Sequence, residues 1–341
     1  MNQDTMSLLE TLYQGDSLTQ PQSYQVFSEV MQGHLEPTQI SALLISLKVK
    51  GETSSEIAGA AAAMRDNAEA FDRPNYVFSD LVGTGGDGHN TINISSAASV
   101  VAASCGIKVA KHGNRSVSSK SGSSDLFTGF GLDIGMSPQT ARKCLDEANI
   151  CFLAAPVYHT GMKYVMPVRL SLKTRTLFNV LGPLANPANP THGIYGVYHP
   201  DLVSVYAETL NNLGHKNALV VHGSGLDEIA LHDKTTAIHV HNGELNKLEI
   251  HPQDFGIAPL PLDSIKGDTP EYNVEAIKQV FCGHGELAHT HAIAMNAASL
   301  LWLHNPSSSL KTQFDIVMES ISQGKPMHTI EQAASISQGA V

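Results

Sequence analysis

The feature that most constrains the fold is a change of texture at Asp72-Arg73-Pro74-Asn75. Before it the pattern is helical only. Ile40, Leu43, Leu44 and Leu47 follow i, i+3, i+4, i+7 spacing with Pro37 suited to a first turn, and Ile57, Ala60, Ala61 and Met64 repeat that spacing behind Thr53 and Glu56, a capping box. After the boundary, short apolar runs alternate with helical windows, the pattern of strand and helix units around a mostly parallel sheet. Candidate strands are 78–82, 107–110, 150–154, 194–198 and 218–221, apolar enough to be buried on both faces. The stretch 167–184 reads as helical again and ends in Gly182-Pro183, a helix stop. Alternation between 235 and 250 around His241-Asn242-Gly243 reads as a peripheral hairpin with an Asn-Gly turn, and helical windows at 292–303 and 310–322 follow. The expected class is α/β with a small all-helical domain.

Composition narrows the function. A chain of 341 residues has room for two domains at roughly 100–200 residues each. A net charge of -11 argues against a surface that condenses on nucleic acid or anionic membrane, so any anion site must be local. Cys105, Cys144, Cys151 and Cys282 show no CxxC spacing, which disfavours zinc or disulfides and suits a reducing cytoplasm. The start lacks a basic n-region, and no apolar run approaches the roughly 18 residues of a membrane span. A soluble, unprocessed, cytoplasmic protein is expected.

Five segments carry candidate chemistry. Gly83-Thr84-Gly85-Gly86-Asp87-Gly88 follows a strand and precedes a helix near Ser95, where glycines let the backbone approach an anion and helix N–H groups face it. Its G-x-G-x-x-G pattern would also suit a dinucleotide, but the neighbourhood about 20 residues on, where that fingerprint places an acid, reads Lys108-Val109-Ala110-Lys111-His112 and is basic. No Gly-Lys-Ser/Thr follows, so a Walker A loop is excluded. At Asn93-Ile94-Ser95-Ser96 the local reading is a helix cap. From Lys111 to Asp125, cations, glycines and hydroxyls crowd together after a strand, the residue types that hold phosphate oxygens. Asp227-Glu228, after a strand and two glycines, can hold a hard cation such as Mg²⁺ through oxygen. Finally, Arg169, near Tyr158 and His159, could pair with a carboxylate and flank a ring. With 17 histidines in the chain, His112 and His159 carry no assignment by themselves.

Taken together, these segments resemble the anthranilate phosphoribosyltransferases. The likeness covers nearly the whole chain and is strongest between about 81 and 186. It is carried by Gly83 to Gly88, Asn93-Ile94-Ser95, Lys111 through Asp125, Tyr158-His159-Thr160-Gly161, Met166-Pro167-Val168-Arg169 and Lys173 through Pro187. The resemblance implies a nucleoside phosphorylase/phosphoribosyltransferase-like architecture, with a helical domain of 1–73 completed by about 166–190. A large α/β domain of 74–165 and 191–341, a cleft between the two, and a homodimer formed through the helical domains are also implied. It implies Mg²⁺-dependent transfer of the 5-phosphoribosyl group of phosphoribosyl pyrophosphate to the amine of anthranilate, in tryptophan biosynthesis.

Gly83, Gly86, Asp87, Thr91, Asn93, Ile94, Ser95, Ser96, Lys111, His112, Gly113, Asn114, Arg115, Ser116, Val117, Ser118, Ser119 and Ser123 would then hold phosphoribosyl pyrophosphate. Gly83, Asn114 and Arg169 would contact anthranilate, with His112, Tyr158 and His159 lining its route, and Ser95, Asp227 and Glu228 would be the metal positions. No single catalytic residue is nominated, because a neutral aromatic amine is already nucleophilic.

The sequence departs from the family pattern at Lys266-Gly267-Asp268, where a glycine pair is common, and at Thr290-His291, where Arg-Asp is common. Rival readings are a pyrimidine nucleoside phosphorylase, a non-enzymatic nucleic-acid-binding relative, and a transferase for another aromatic amine. If Asp227 and Glu228 are the metal carboxylates, replacing both with alanine removes Mg²⁺-dependent turnover and leaves the circular dichroism spectrum intact. Wild-type turnover in that variant would place the metal elsewhere.

Overall fold

The computed structural model describes residues 3–114 and 120–339. Four helices lead: α1 (Gln3–Tyr13), α2 (Gln20–Met31), α3 (Pro37–Lys50) and α4 (Ser54–Asp66). Proline opens α2 and α3, where no N–H is needed, and Thr53 closes the capping box with Glu56. The small residues of α4 have a packing reason: a Cβ added at Gly59 would stand 2.4 Å from the Gln20 carbonyl oxygen, so α4 and α2 approach backbone to backbone. Glu56 is buried, and it also accepts from Leu18 N–H and Lys50 Nζ, each at 2.9 Å.

The remaining chain builds a sheet among helices. In order come β1 (Ser79–Gly83), α5 (Ile94–Ser104), β2 (Val109–Gly113), α6 (Ser123–Gly129), α7 (Pro138–Ala148) and β3 (Ile150–Ala154). Next are α8 (Ala155–Tyr158), α9 (Met162–Leu172) and α10 (Phe178–Leu181), then β4 (His192–Gly196), α11 (Leu202–Asn212) and β5 (Asn217–His222). The chain closes with β6 (Thr235–His241), β7 (Glu244–Ile250), α12 (Pro270–Phe281), α13 (Leu287–His304), α14 (Leu310–Ser322) and α15 (Lys325–Ser337). Among the described residues these strands form one seven-stranded sheet in the order β3-β2-β1-β4-β5-β6-β7. From β3 to β5 every pairing is parallel, and β6 and β7 are antiparallel.

Three expectations are refined. The hairpin lies at the periphery as the last two strands, yet β6 pairs with β5 along its whole length, so it extends the sheet and leaves β7, like β3, as an edge. Its turn is as expected, with Asn242 at φ 49° and Gly243 at φ 93°. The second strand runs later than 107–110, so Lys111 and His112 are strand residues and not loop residues. The helix expected over 167–184 is interrupted where Lys173 turns left-handed at φ 50°, separating α9 from α10 and a final 3-10 turn.

Alternation along the strands divides the core. Leu81, Ile194, Leu219 and Val221 join α5, α7, α13 and α15 on one face. Val82, Tyr195, Val220 and Val240 belong to the other cluster, which runs through α11 into the helices α1–α4 and takes in Val165 and Val168 of α9 and Phe178 and Leu181 of α10. The helical bundle is therefore anchored directly on one face of the sheet. Among the described residues, no helix is long and apolar enough to cross a membrane.

Strand order turns at β1, whose neighbours β2 and β4 lie on opposite sides, and such a switch point leaves a crevice beyond the strand C-termini. There Gly83 is paired with Gly196. Both must be glycine, because an added Cβ would lie 2.1 Å from Asp227 Oδ2 at the first and 1.6 Å from the Asp227 carbonyl oxygen at the second. Gly196→Ala is expected to displace the acidic loop and lower kcat/KM by about 100-fold, with the far-UV spectrum retained. Near-wild-type kinetics would show that the loop recoils without consequence.

Candidate active site

Asp227 and Glu228 sit on the loop after β5, in the crevice just described. Asp227 is buried, and its Oδ2 accepts the Gly85 amide at 2.6 Å. Glu228 reaches across to α5, where its Oε1 accepts the Ser95 amide at 3.2 Å. Burial pushes both carboxyl groups well above the usual range, and Asp87 beside Asp227, then Asp227 beside Glu228, add like-charge repulsion. A cluster of this kind is poised for a cation.

The donor set is oxygen only. Among the described residues, no three His, Cys, Asp or Glu side chains come together closely enough to hold a metal unaided. Ser95, Asp227 and Glu228 thus fit a hard cation that takes its other ligands from substrate phosphate and water, as Mg²⁺ does.

The glycine loop wraps this acidic pair. Gly85, Gly86 and Gly88 all have positive φ, at 68°, 81° and 85°, the conformation that only glycine adopts without strain. Thr84 ties the loop to β4, donating its amide to the Gly196 carbonyl at 2.9 Å and accepting the Tyr198 amide on Oγ1 at 3.1 Å. Asp87 accepts the His89 amide at 3.1 Å. Arg175, exposed, donates to the Gly86 carbonyl and lays its guanidinium 4.1 Å from the centre of the Tyr198 ring. It was not singled out as a site residue from sequence, although it lies in the segment that carries the family likeness.

Lys111 occupies a different position from that expected of a loop cation. It is 2% exposed, and its Nζ donates to the Leu81 carbonyl at 2.7 Å while facing the charges of Asp80, Glu228 and Asp227. Asp80 was overlooked, although a carboxylate inside an apolar strand run is an available signal. It is fully buried, with burial pushing its pKa up to about 6 against the pull of Lys111. Its Oδ2 accepts Asn186 Nδ2 at 2.8 Å and the His112 amide at 3.4 Å, joining β1 to β2 and to the segment before β4.

Asn93 does not cap α5 with its side chain, so the capping reading is corrected: its Oδ1 is taken by Ser121 Oγ and Asn273 Nδ2. Ile94 and Ser96 are buried at the start of α5, and Thr91 is bridged to Lys266. Gly113 must be glycine, since a Cβ there would stand 2.3 Å from Ser123 Oγ, which itself donates to the Asn114 carbonyl at 3.1 Å. Arg115, Ser116, Val117, Ser118 and Ser119 lie outside the described residues.

A second wall comes from α8 to α10. The rings of His112 and His159 meet edge to face at 5.1 Å, and His112 Nδ1 bonds to the Gly182 carbonyl at 3.0 Å. His112 Nε2 and Tyr158 Oη are buried and have no partner among the described residues, while the buried His159 ring faces the Ala185 and Met64 backbone. Arg169, on α9 beyond them, is part-buried and lies 5.7 Å from the centre of the Phe178 ring, with no carboxylate partner among the described residues. A half-buried guanidinium lacking a counter-ion suits an anionic ligand.

An open α/β sheet whose switch point carries a glycine loop, a helix N-terminus and an acidic pair, facing a helical bundle with an unpaired arginine, describes a group-transfer enzyme for phosphorylated substrates. Residues 6–68 match the helical bundle domain of the glycosyl transferase family, and residues 75–327 match its a/b domain. Anthranilate phosphoribosyltransferase of Tolumonas auensis is 52% identical over 96% of this chain and 98% of its own length. The enzyme of that name from Thermus thermophilus superposes with a TM-score of 0.93 at 34% identity, over 97% of this chain and 99% of its own. Its counterpart from Saccharomyces cerevisiae, solved in complex with PRPP and Mg, gives 0.91 at 28% identity, over 98% of each chain. The chain belongs to the anthranilate phosphoribosyltransferases.

Burial lowers the pKa of His112 to about 3, helped by the neighbouring His159, and that of His159 to about 4, both from 6.5. The unfolded chain therefore takes up these protons first as pH falls. The pair's contribution to stability is full above about pH 6.5 and is withdrawn as pH falls toward 4 for His159 and toward 3 for His112. An NMR titration of the rings is expected to find both neutral at pH 5. Signals titrating near 6.5 would contradict the buried, neutral pair.

Proposed function

We propose that this crevice transfers the 5-phosphoribosyl group of phosphoribosyl pyrophosphate to the amine of anthranilate, releasing pyrophosphate, as a step of tryptophan biosynthesis. The observation that carries the reading is the buried acidic pair held by loop and helix amides, Asp227 on the Gly85 N–H and Glu228 on the Ser95 N–H. Arg169, half-buried against Phe178 on the helical side, is the group suited to a carboxylate.

Each residue has a physical task. Glycine-loop amides and the N-terminus of α5 are oriented donors for phosphate oxygens, in place before substrate arrives. Ser95, Asp227 and Glu228 are the positions for Mg²⁺, which supplies charge neutralisation to the pyrophosphate leaving group when bound. Lys111 keeps the carboxylates from repelling one another apart. Arg169 pairs with the anthranilate carboxylate, and Gly83 and Asn114 complete that site, holding the amine toward the ribose carbon. His112, Tyr158 and His159 line the approach. The two neutral rings neither protonate the amine nor attract a second anion, and the unprotonated aromatic amine attacks without a strong base. Holding the reactants in line supplies the remaining rate gain.

The same reading divides the chain into a helical part, 1–73 with about 166–190, and an α/β part, with the cleft between them. It includes pairing of two copies through the helical part, supported by exposed Val49, Met166 and Leu170 on α3 and α9.

Anthranilate fluorescence is expected to fall when enzyme, phosphoribosyl pyrophosphate and Mg²⁺ are present together. Arg169→Ala is expected to raise KM for anthranilate by roughly tenfold or more and to leave KM for phosphoribosyl pyrophosphate unchanged. Folded protein without anthranilate turnover, but with brisk phosphorolysis of uridine or thymidine, would overturn the assignment.

A further inference from the structure

Asn273 lies on α12, outside every motif that carries the proposed chemistry, and is 2% exposed. Both ends of its amide are used. Oδ1 accepts the Asp268 amide at 3.0 Å, and Nδ2 donates to Asn93 Oδ1 at 3.0 Å. Asn93 Oδ1 also accepts Ser121 Oγ at 3.1 Å, while Asn93 Nδ2 donates to the Ser121 carbonyl at 3.3 Å. An amide oxygen has two lone pairs, so that of Asn93 is saturated. The Asn93 side chain is a strut between segments and has no acceptor left for a ligand.

The strut joins the parts that frame the phosphate-binding crevice. Asn93 opens α5 at the end of the glycine-loop segment, and Ser121 closes the polar segment that follows β2. The loop carrying Gly267 runs beside both. Gly267 N–H donates to the Asn90 carbonyl at 2.8 Å, and an added Cβ would stand 2.7 Å from the Thr91 carbonyl oxygen and 2.7 Å from Asn273 Oδ1. A second tether, the Lys120–Asp268 ion pair, is more than half exposed on both sides and contributes little. The part-buried amide chain from Asp268 through Asn273 and Asn93 to Ser121 is thus the stronger link, because Asn273 and Ser121 within it are buried and a buried polar group that loses its partner bears the full desolvation cost.

We infer that Asn273 is a positioning residue for the phosphoribosyl pyrophosphate site, holding Asn93 and, through it, Ser121 in register with the glycine loop. The inference rests on the proposed function for its substrate but not for its geometry. Asn273→Asp separates its two bonds: an oxygen remains for the Asp268 amide, but a carboxylate replaces the donor to Asn93. Asn93 is then repelled or flips, and a flipped Asn93 sets its oxygen against the Ser121 carbonyl.

The expected result for both Asn273→Asp and Asn273→Ala is a rise of about tenfold in KM for phosphoribosyl pyrophosphate. Values of kcat and KM for anthranilate stay within about twofold, as expected for loss of binding shared by ground and transition states. Amide hydrogen exchange in the region of Ser121 and Ser124 is expected to accelerate in Asn273→Asp without any substrate present. That measurement decides the strut even if wild-type protein fails to consume anthranilate, which would sink only the functional reading. If the alanine variant does not fold, the aspartate variant carries the test. An unchanged KM in folded Asn273→Asp overturns the inference, as does a raised KM with wild-type exchange.

Discussion

The structure is organised around the burial of two adjacent carboxylates at the end of a sheet. Asp227 and Glu228 are drawn in against Gly83, Gly196 and Gly223, each of which would collide with the acidic loop if it carried a Cβ. Confining negative charge this way is costly unless cations or N–H groups answer it. The surroundings supply them: Gly85 N–H on Asp227, Ser95 N–H on Glu228 and the buried ammonium of Lys111 nearby. On the proposed function, the remaining imbalance is what a divalent cation and a polyphosphate would answer.

From that constraint the neighbouring chain follows. The glycine loop is left-handed at three positions and turns its Gly85 amide onto Asp227, and Arg175 holds the Gly86 carbonyl from the far wall. Asp80 balances Lys111 from beneath and ties Asn186 and the His112 amide to β1. His112 in turn meets His159 and the Gly182 carbonyl, so the acidic pair is connected within a few side chains to the helices that present Arg169. Charge balance in the sheet and placement of the Arg169 helices are therefore not independent.

Much of this was legible in the residues. Capping and period marked α3 and α4, apolar runs marked the strands, and the glycine loop, the acidic pair and Arg169 were recognisable by residue type. Misreadings came where local rules met tertiary competition. Asn93 looked like a cap but is claimed by Ser121 and Asn273 from distant segments. Lys111 looked like a loop cation, yet the strand extends through it and buries it. That the hairpin extends the sheet was not legible, because its own residues say nothing about whether β5 offers it an edge.

By itself the sequence determined the helix-then-sheet order, the place of the glycine loop, and the residue types available for phosphate, cation and carboxylate. These are local properties, set by backbone sterics, periodicity and side-chain chemistry. Only the tertiary structure decided which of those groups share a cleft, which cation is a counter-charge and which could meet a ligand, and that Asn273 braces a site some 180 residues away in the chain. Such choices depend on burial and on pairings between remote segments, and neither is encoded in any one stretch of residues.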